Sequence, residues 1–119
     1  MSKTILLDID GTLIKHDKSV SEQHRTKEYP DTPLPGVLEK LIEWEKKGYK
    51  VILTTGRREC WRKFTEKQLF DLGFWYDQLI MGLGCGPRVL VNDLKPGSEE
   101  PMATAINLPR NQGIGNLEV

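Results

Sequence analysis

Asp8 and Asp10 stand one residue apart where an apolar run, Thr4 to Ile9, gives way to Gly11-Thr12. Like charges that close repel, and buried carboxylates are costly unless something cationic accompanies them. Two acids at the end of an apolar strand therefore either solvate that end or await a metal and a substrate. Two further segments end in reactive groups. Val51-Ile52-Leu53 runs into Thr54-Thr55-Gly56-Arg57, and Val89-Leu90-Val91 runs into Asn92-Asp93. If these runs are parallel strands, their carboxyl ends converge, and ligands of open parallel sheets bind at that edge. Three carboxylates, a hydroxyl and several cations would then share one site. Hard oxygen ligands of this kind suit Mg²⁺, which takes one or two carboxylates plus waters and phosphate oxygens.

The elements needed to position these groups are legible as an α/β pattern, with short apolar runs alternating with amphipathic stretches. Thr4 to Ile9 reads as the first strand, Thr12 to Val20 as a small hairpin or flap, and Ser21 to Pro33 as a polar connector. Pro35-Gly36 opens a helix whose apolar face is Val37, Leu38, Leu41 and Ile42, with Gly48 as its stop. The second strand is Lys50 to Thr54. A second helix follows, with Trp61, Phe64, Thr65, Leu69 and Leu72 on one face and Gly73 as its end. Asp77 to Met81 reads as a third strand, Arg88 to Val91 as a fourth and Thr104 to Leu108 as a fifth. Only Gly82 to Pro87 separate the third and fourth, too few for a helical crossover, so a bare Gly-rich loop is expected to recross the sheet. From Pro109 the breakers Asn111, Gly113 and Gly115 predict a loosely ordered tail. The expected organisation is one domain over residues 1–108, a Rossmann-like parallel sheet with flanking helices, and a tail over 109–119.

Bulk properties narrow the classes. The 119 residues suit a single core, and 17 basic against 17 acidic side chains give no net charge. Nothing global advertises nucleic-acid or membrane binding. There is no apolar run long enough to span a bilayer, and the chain enters a strand pattern without a signal-peptide pattern, so a cytoplasmic location is expected. Cys60 and Cys85 lack metal-site spacing and read as plain thiols.

The segment Asp8-Ile9-Asp10-Gly11-Thr12 after an apolar strand resembles the first motif of the haloacid dehalogenase-like superfamily, DxDGT. Val51-Ile52-Leu53-Thr54-Thr55 is similar to its second motif, and Val89-Leu90-Val91-Asn92-Asp93 to its fourth. The resemblance covers roughly residues 3 to 95 and implies a phosphatase that works through an aspartyl-phosphate. By that resemblance Asp8 is the nucleophile and Asp10 the general acid and base. Asp8 and Asp93 hold Mg²⁺ with their carboxylates and Asp10 with its backbone carbonyl. Thr55 would hydrogen-bond a phosphoryl oxygen. Physical chemistry agrees with those roles: a metal keeps a carboxylate ionised for in-line attack, while its neighbour is free to carry a proton. The Gly11-Thr12 turn is expected to bind phosphate through its backbone N–H groups, and Gly56-Arg57 to do so at a helix N-terminus.

The pattern departs from the family at its third motif. The expected Lys is absent from Gly82-Leu83-Gly84-Cys85-Gly86-Pro87, which removes transition-state stabilisation. Lys95, Arg57, Arg58 and Arg88 are the candidate replacements. Arg88, at the start of a fourth strand, should lie at the far end of the sheet, roughly 15 Å away at strand rise. Lys95, just after Asp93, is the expected surrogate. Arg62, Lys63 and Lys67 read as a solvated helix face, His16 and His24 as exposed, and Trp61 and Phe64 as core.

Neither gap between motifs is long enough for the cap domain that relatives often carry. A capless site is open, suited to large substrates or to a neighbouring subunit acting as lid, so a homo-oligomer is expected. The leading expectation is a Mg²⁺-dependent phosphatase acting on a sugar phosphate or related small metabolite. A polynucleotide end stands second, motivated by the open site and the basic second helix. A catalytically weak phosphate-binding module stands third, motivated by the missing Lys. No membrane partner is expected.

Overall fold

The computed structural model describes residues 2–119. Its centre is a parallel sheet of three strands, β1 (Thr4–Asp8), β2 (Lys50–Thr54) and β3 (Gln78–Ile80), in the order β1-β2-β3. Asp8 lies in register with Thr54, which in turn lies in register with Ile80. The first of the paired acids is thus level with the end of the neighbouring strand. Alternation along β1 buries Ile5 and Leu7, and along β2 Val51 and Leu53, as expected for half-buried strands. Asp77 fixes the start of β3: its N–H donates to the Val51 carbonyl at 2.7 Å and its carboxylate accepts the Val51 N–H at 2.8 Å.

Three helices connect the strands. The first, α1 (Val20–Thr26), was read as polar connector in the sequence. Ser19 caps it by accepting the Glu22 N–H, the residue type and spacing of a helix start. In α2 (Val37–Lys46) the buried positions are Val37, Leu41 and Trp44, one face at helical spacing. Ile42, expected on that face, is exposed. A short 3₁₀ turn, Glu59–Trp61, leads into α3 (Arg62–Asp71), which buries Thr65, Gln68 and Leu69. Trp61 and Phe64 are not core residues in the strict sense. They form a partly exposed aromatic cluster with His24 and Tyr29, ring centroids 5.0 to 6.5 Å apart.

The fold is the expected α/β arrangement, but the expected fourth and fifth strands are absent among the described residues. Val89 and Val91 are each 86% exposed and Leu90 65%. The reason lies in the loop before them. Gly82 N–H donates to the Arg57 carbonyl at 2.7 Å and Leu83 N–H to the Thr55 carbonyl at 3.1 Å. The loop is therefore committed to a local turn at the end of β2 and does not recross the sheet. An apolar run becomes a strand only where an edge pairs it, and residues 88–91 find none. The molecule is correspondingly elongated. Its radius of gyration is 15.1 Å, against about 13.5 Å for a compact chain of this length.

The tail differs from expectation in the opposite direction, being packed rather than loose. Ile114 and Leu117 join the hydrophobic core. Ile114 N–H donates to the Pro35 carbonyl at 3.0 Å, and Asn111 N–H to the Gly11 carbonyl at 2.8 Å. Asn111 and Gly113, read as breakers, take positive φ values of 61° and 83°. They are the bends that bring the tail back. A Cβ on Gly113 would meet the Pro35 carbonyl oxygen at 2.2 Å, so only glycine allows that approach.

Candidate active site

The loop Asp8–Ile14 is a compact turn built on its own backbone. Gly11 N–H donates to the Ile14 carbonyl at 2.8 Å, and the N–H groups of Thr12 and Leu13 to the Ile9 carbonyl at 3.2 and 2.9 Å. Ile9, Leu13 and Ile14 are fully buried beneath it. This geometry corrects the expected phosphate nest: the Gly11 and Thr12 N–H groups already have internal acceptors. The Thr12 hydroxyl instead donates to Asp8 Oδ2 at 3.5 Å.

The two aspartates have different surroundings. Asp10 receives both arms of a buried guanidinium, Arg57 Nε at 3.0 Å on one oxygen and Nη2 at 2.8 Å on the other. This is the bidentate geometry in which arginine binds carboxylates most strongly. Arg57 Nη1 donates to Thr65 Oγ1 at 3.0 Å and Gln68 Oε1 at 2.9 Å. The chain continues through Gln68 Nε2 to Gln23 Oε1 and Gln23 Nε2 to the Lys18 carbonyl. Arg57, expected to contact phosphate, is thus committed to holding Asp10. Asp8 has no such partner among the described residues. Burial and the negative charge of Asp10 push its carboxyl above the ordinary value, opposed by the Ile9 N–H, the Arg88 charge and the Thr12 hydroxyl.

Arg88 is therefore on the side of the site, not at the far end of the sheet as a fourth strand would place it. Its Nη1 and Nη2 donate to the carbonyls of Gly86 and Gly84 at 2.5 and 3.0 Å. The Gly84 carbonyl oxygen abuts Gly56, where a Cβ would come within 2.4 Å of it. The loop can close over β2 only because residue 56 has no side chain. Thr55 is buried beneath that loop, its hydroxyl oxygen accepting the Arg57 N–H at 3.1 Å. Gly56, Arg57 and Arg58 line a shallow cleft of about 420 Å³ with Val20, Ser21, Cys60 and Trp61.

Two expected members are not gathered into this arrangement. Asp93 and Lys95 are exposed on the segment without secondary structure, and the Lys95 ammonium bonds none of the described residues. No group of three His, Cys, Asp or Glu side chains able to hold a metal occurs among the described residues, so Asp8, Asp10 and Asp93 are not drawn together as one metal site. What remains for a cation is the Asp8 carboxylate and the Asp10 backbone carbonyl. Both are hard oxygens, and burial first, then the Asp10 charge, disfavour the ionised Asp8 carboxylate until a cation accompanies it. That donor set fits Mg²⁺, which commonly binds through one carboxylate and retains waters.

Sequence reasoning missed several participants. Thr65 and Gln68 are polar at i and i+3 on the buried face of α3. Polar groups in an apolar stripe are the signal that a buried charge needs partners. From the tail, Asn111 Oδ1 accepts the His16 N–H at 2.7 Å and its Nδ2 donates to the His16 carbonyl at 3.2 Å. Arg110, one residue earlier, lays its side chain along Gly11: Cγ, Nε and Cδ are 3.2, 3.7 and 3.8 Å from where a Gly11 Cβ would be.

A family model described as the polynucleotide kinase PNKP phosphatase domain matches residues 2–82. No curated protein and no solved structure matches the chain. The matched region holds the whole sheet, the DIDGT loop and the Arg57 clamp on Asp10. The chain belongs to the polynucleotide kinase PNKP phosphatase domain family and is a phosphoric monoester hydrolase of the haloacid dehalogenase-like type.

Proposed function

We propose that this hydrolase works through an aspartyl-phosphate on Asp8, with Asp10 moving protons and Arg57 positioning Asp10. The observation that carries the assignment is the asymmetry of the pair. Asp10 is clamped by Arg57, while Asp8, at the end of β1, has no ion-pair partner among the described residues. Asp8 Oδ attacks phosphorus, the P–O bond to the leaving group breaks, and the departing oxygen takes the Asp10 proton. Water then attacks the acyl phosphate, giving its proton back to Asp10 and releasing inorganic phosphate. Each Asp10 oxygen accepts one bond from Arg57, leaving a lone pair for that proton.

The Asp8 carboxylate and the Asp10 carbonyl would hold Mg²⁺, which when bound offsets the repulsion between carboxylate and phosphate dianion. Thr55 lies at the same strand end but is buried beneath the loop, so the phosphate side there falls to Gly56 at the cleft. Asp93 and Lys95 contribute only if the segment after Pro87 folds back onto this edge.

Between the substrate classes, the family description favours a phosphorylated polynucleotide end over a sugar phosphate or other small metabolite. The exposure of Asp8 at the end of β1 supports the same choice, since small ligands are usually enclosed by their pockets. No helix among the described residues is long and apolar enough to cross a membrane. The test is release of inorganic phosphate with Mg²⁺ from an aryl phosphate, a sugar-phosphate panel and oligonucleotides phosphorylated at either end. Asp8→Asn should abolish release from all of them, and surviving hydrolysis would refute the nucleophile. A preference for the oligonucleotides that falls with added salt supports the polynucleotide reading. Preference for a sugar phosphate overturns it.

A further inference from the structure

We infer that Arg110, delivered by the packed tail, is a substrate-phosphate-binding residue of this site. The inference deepens the phosphatase reading above and rests on it for its first assay.

An arginine in a loose tail would be a solvated charge. This one is held. The residue after it is fixed to the catalytic loop by the bond from Asn111 N–H to the Gly11 carbonyl. The Asn111 side chain grips both backbone groups of His16. Three residues further on, Ile114 is buried and hydrogen-bonded to Pro35. With its backbone anchored on that side, the Arg110 stem lies against Gly11, the residue after Asp10.

Its guanidinium is also uncommitted. Arg57 is occupied by Asp10, Thr65 and Gln68, and Arg62 by Glu59 and the Leu79 carbonyl. Arg88 places two N–H groups on loop carbonyls. The Arg110 side chain forms no hydrogen bond or ion pair with any described residue, although the loop under it carries two carboxylates. A planar fork of donors whose stem lies on the residue after Asp10, in ion pair with neither acid, is free to take an anion at this loop. Phosphate is the group such a fork matches. The absence of Lys from Gly82–Pro87 sharpens the need for a cation here. The glycine at position 11 has a second consequence, because a side chain there would press on the Arg110 stem.

The test compares wild type with Arg110→Met and Arg110→Lys. The readouts are kcat and KM for an aryl phosphate, competitive inhibition by inorganic phosphate, and the thermal midpoint. Arg110→Met should raise KM and the phosphate inhibition constant about ten- to a hundredfold, the scale of a lost charge-assisted hydrogen bond, at an unchanged midpoint. Arg110→Lys should recover part of that loss. Unchanged phosphate inhibition in a folded Arg110→Met protein overturns the inference and leaves the hydrolase intact. A fall in kcat that follows a lowered midpoint at constant KM also overturns it, since that is a structural effect. If wild type hydrolyses nothing, titration calorimetry with inorganic phosphate decides. Binding that weakens tenfold or more in Arg110→Met sustains this inference while the mechanism falls; equal binding, or none, ends it.

Discussion

Two regions behave in the opposite way to their apolar content. Residues 109–117 look like a polar, glycine-broken tail, yet Ile114 and Leu117 are buried and the segment touches the DIDGT loop. Residues 88–94 contain Val89, Leu90, Val91 and Leu94, all strongly exposed. Apolar side chains alone do not produce packing. The tail packs because Pro35, Gly36 and Gly11 offer acceptors and space at the places its own bends reach. The apolar run does not, because the preceding loop is tied down at Thr55 and Arg57 before it can reach a sheet edge.

The contrast is open to attack by mutation. The largest effect belongs to the packed body: Asp8→Asn should lower kcat at least about a thousandfold, measured as phosphate release. Next, Arg57→Ala strips a buried partner from Asp10, Thr65 and Gln68 and should cost about 3–5 kcal/mol in urea unfolding. Ile114→Ala should cost about 2–5 kcal/mol if the tail is truly core. A value near zero would erase the distinction between the two regions from the tail's side. The double change Val89→Ser with Val91→Ser should stay within about 0.5 kcal/mol, as exposed positions do. A loss well above that would break the comparison from the other side, because it would mean that the run packs in solution.

The smallest effect concerns pH and has a definite sign. Burial and Asp10 raise the Asp8 carboxyl above its ordinary value, so the folded protein holds that proton more tightly than the unfolded chain. The stabilisation is fully present below the unfolded carboxyl range and is lost as pH rises through the Asp8 value. At neutral pH without metal, ionised Asp8 is a cost. Asp8→Asn should therefore have a higher thermal midpoint than wild type in chelator at pH 7, with the gap closing below about pH 4. Mg²⁺ should raise the wild-type midpoint and leave that of Asp8→Asn in place.

The groups that make up the candidate site were legible in residue types. The paired acids after an apolar strand, and Thr55-Gly56-Arg57 after the next, are local signals, and they ended at one sheet edge as parallel pairing requires. The direction of Arg57 was not legible. A guanidinium beside a glycine turn reads as phosphate-binding, and only the packing of α3 shows Thr65, Gln68 and Asp10 surrounding it. The same holds for Arg88, whose position followed from a strand that does not form.

What the sequence by itself determined is the set of groups and the strands that carry them. Periodicity and strand ends depend on near neighbours in the chain, so β1, β2 and the DIDGT turn could be read directly. What only the tertiary structure decided is partnership. Which cation holds Asp10, which leaves Asp8 exposed to its neighbour's charge, and which tail residue lies on Gly11 are contacts across 47 or more positions. Such contacts depend on the competition of every surface for a limited interior, and no local pattern encodes the winner.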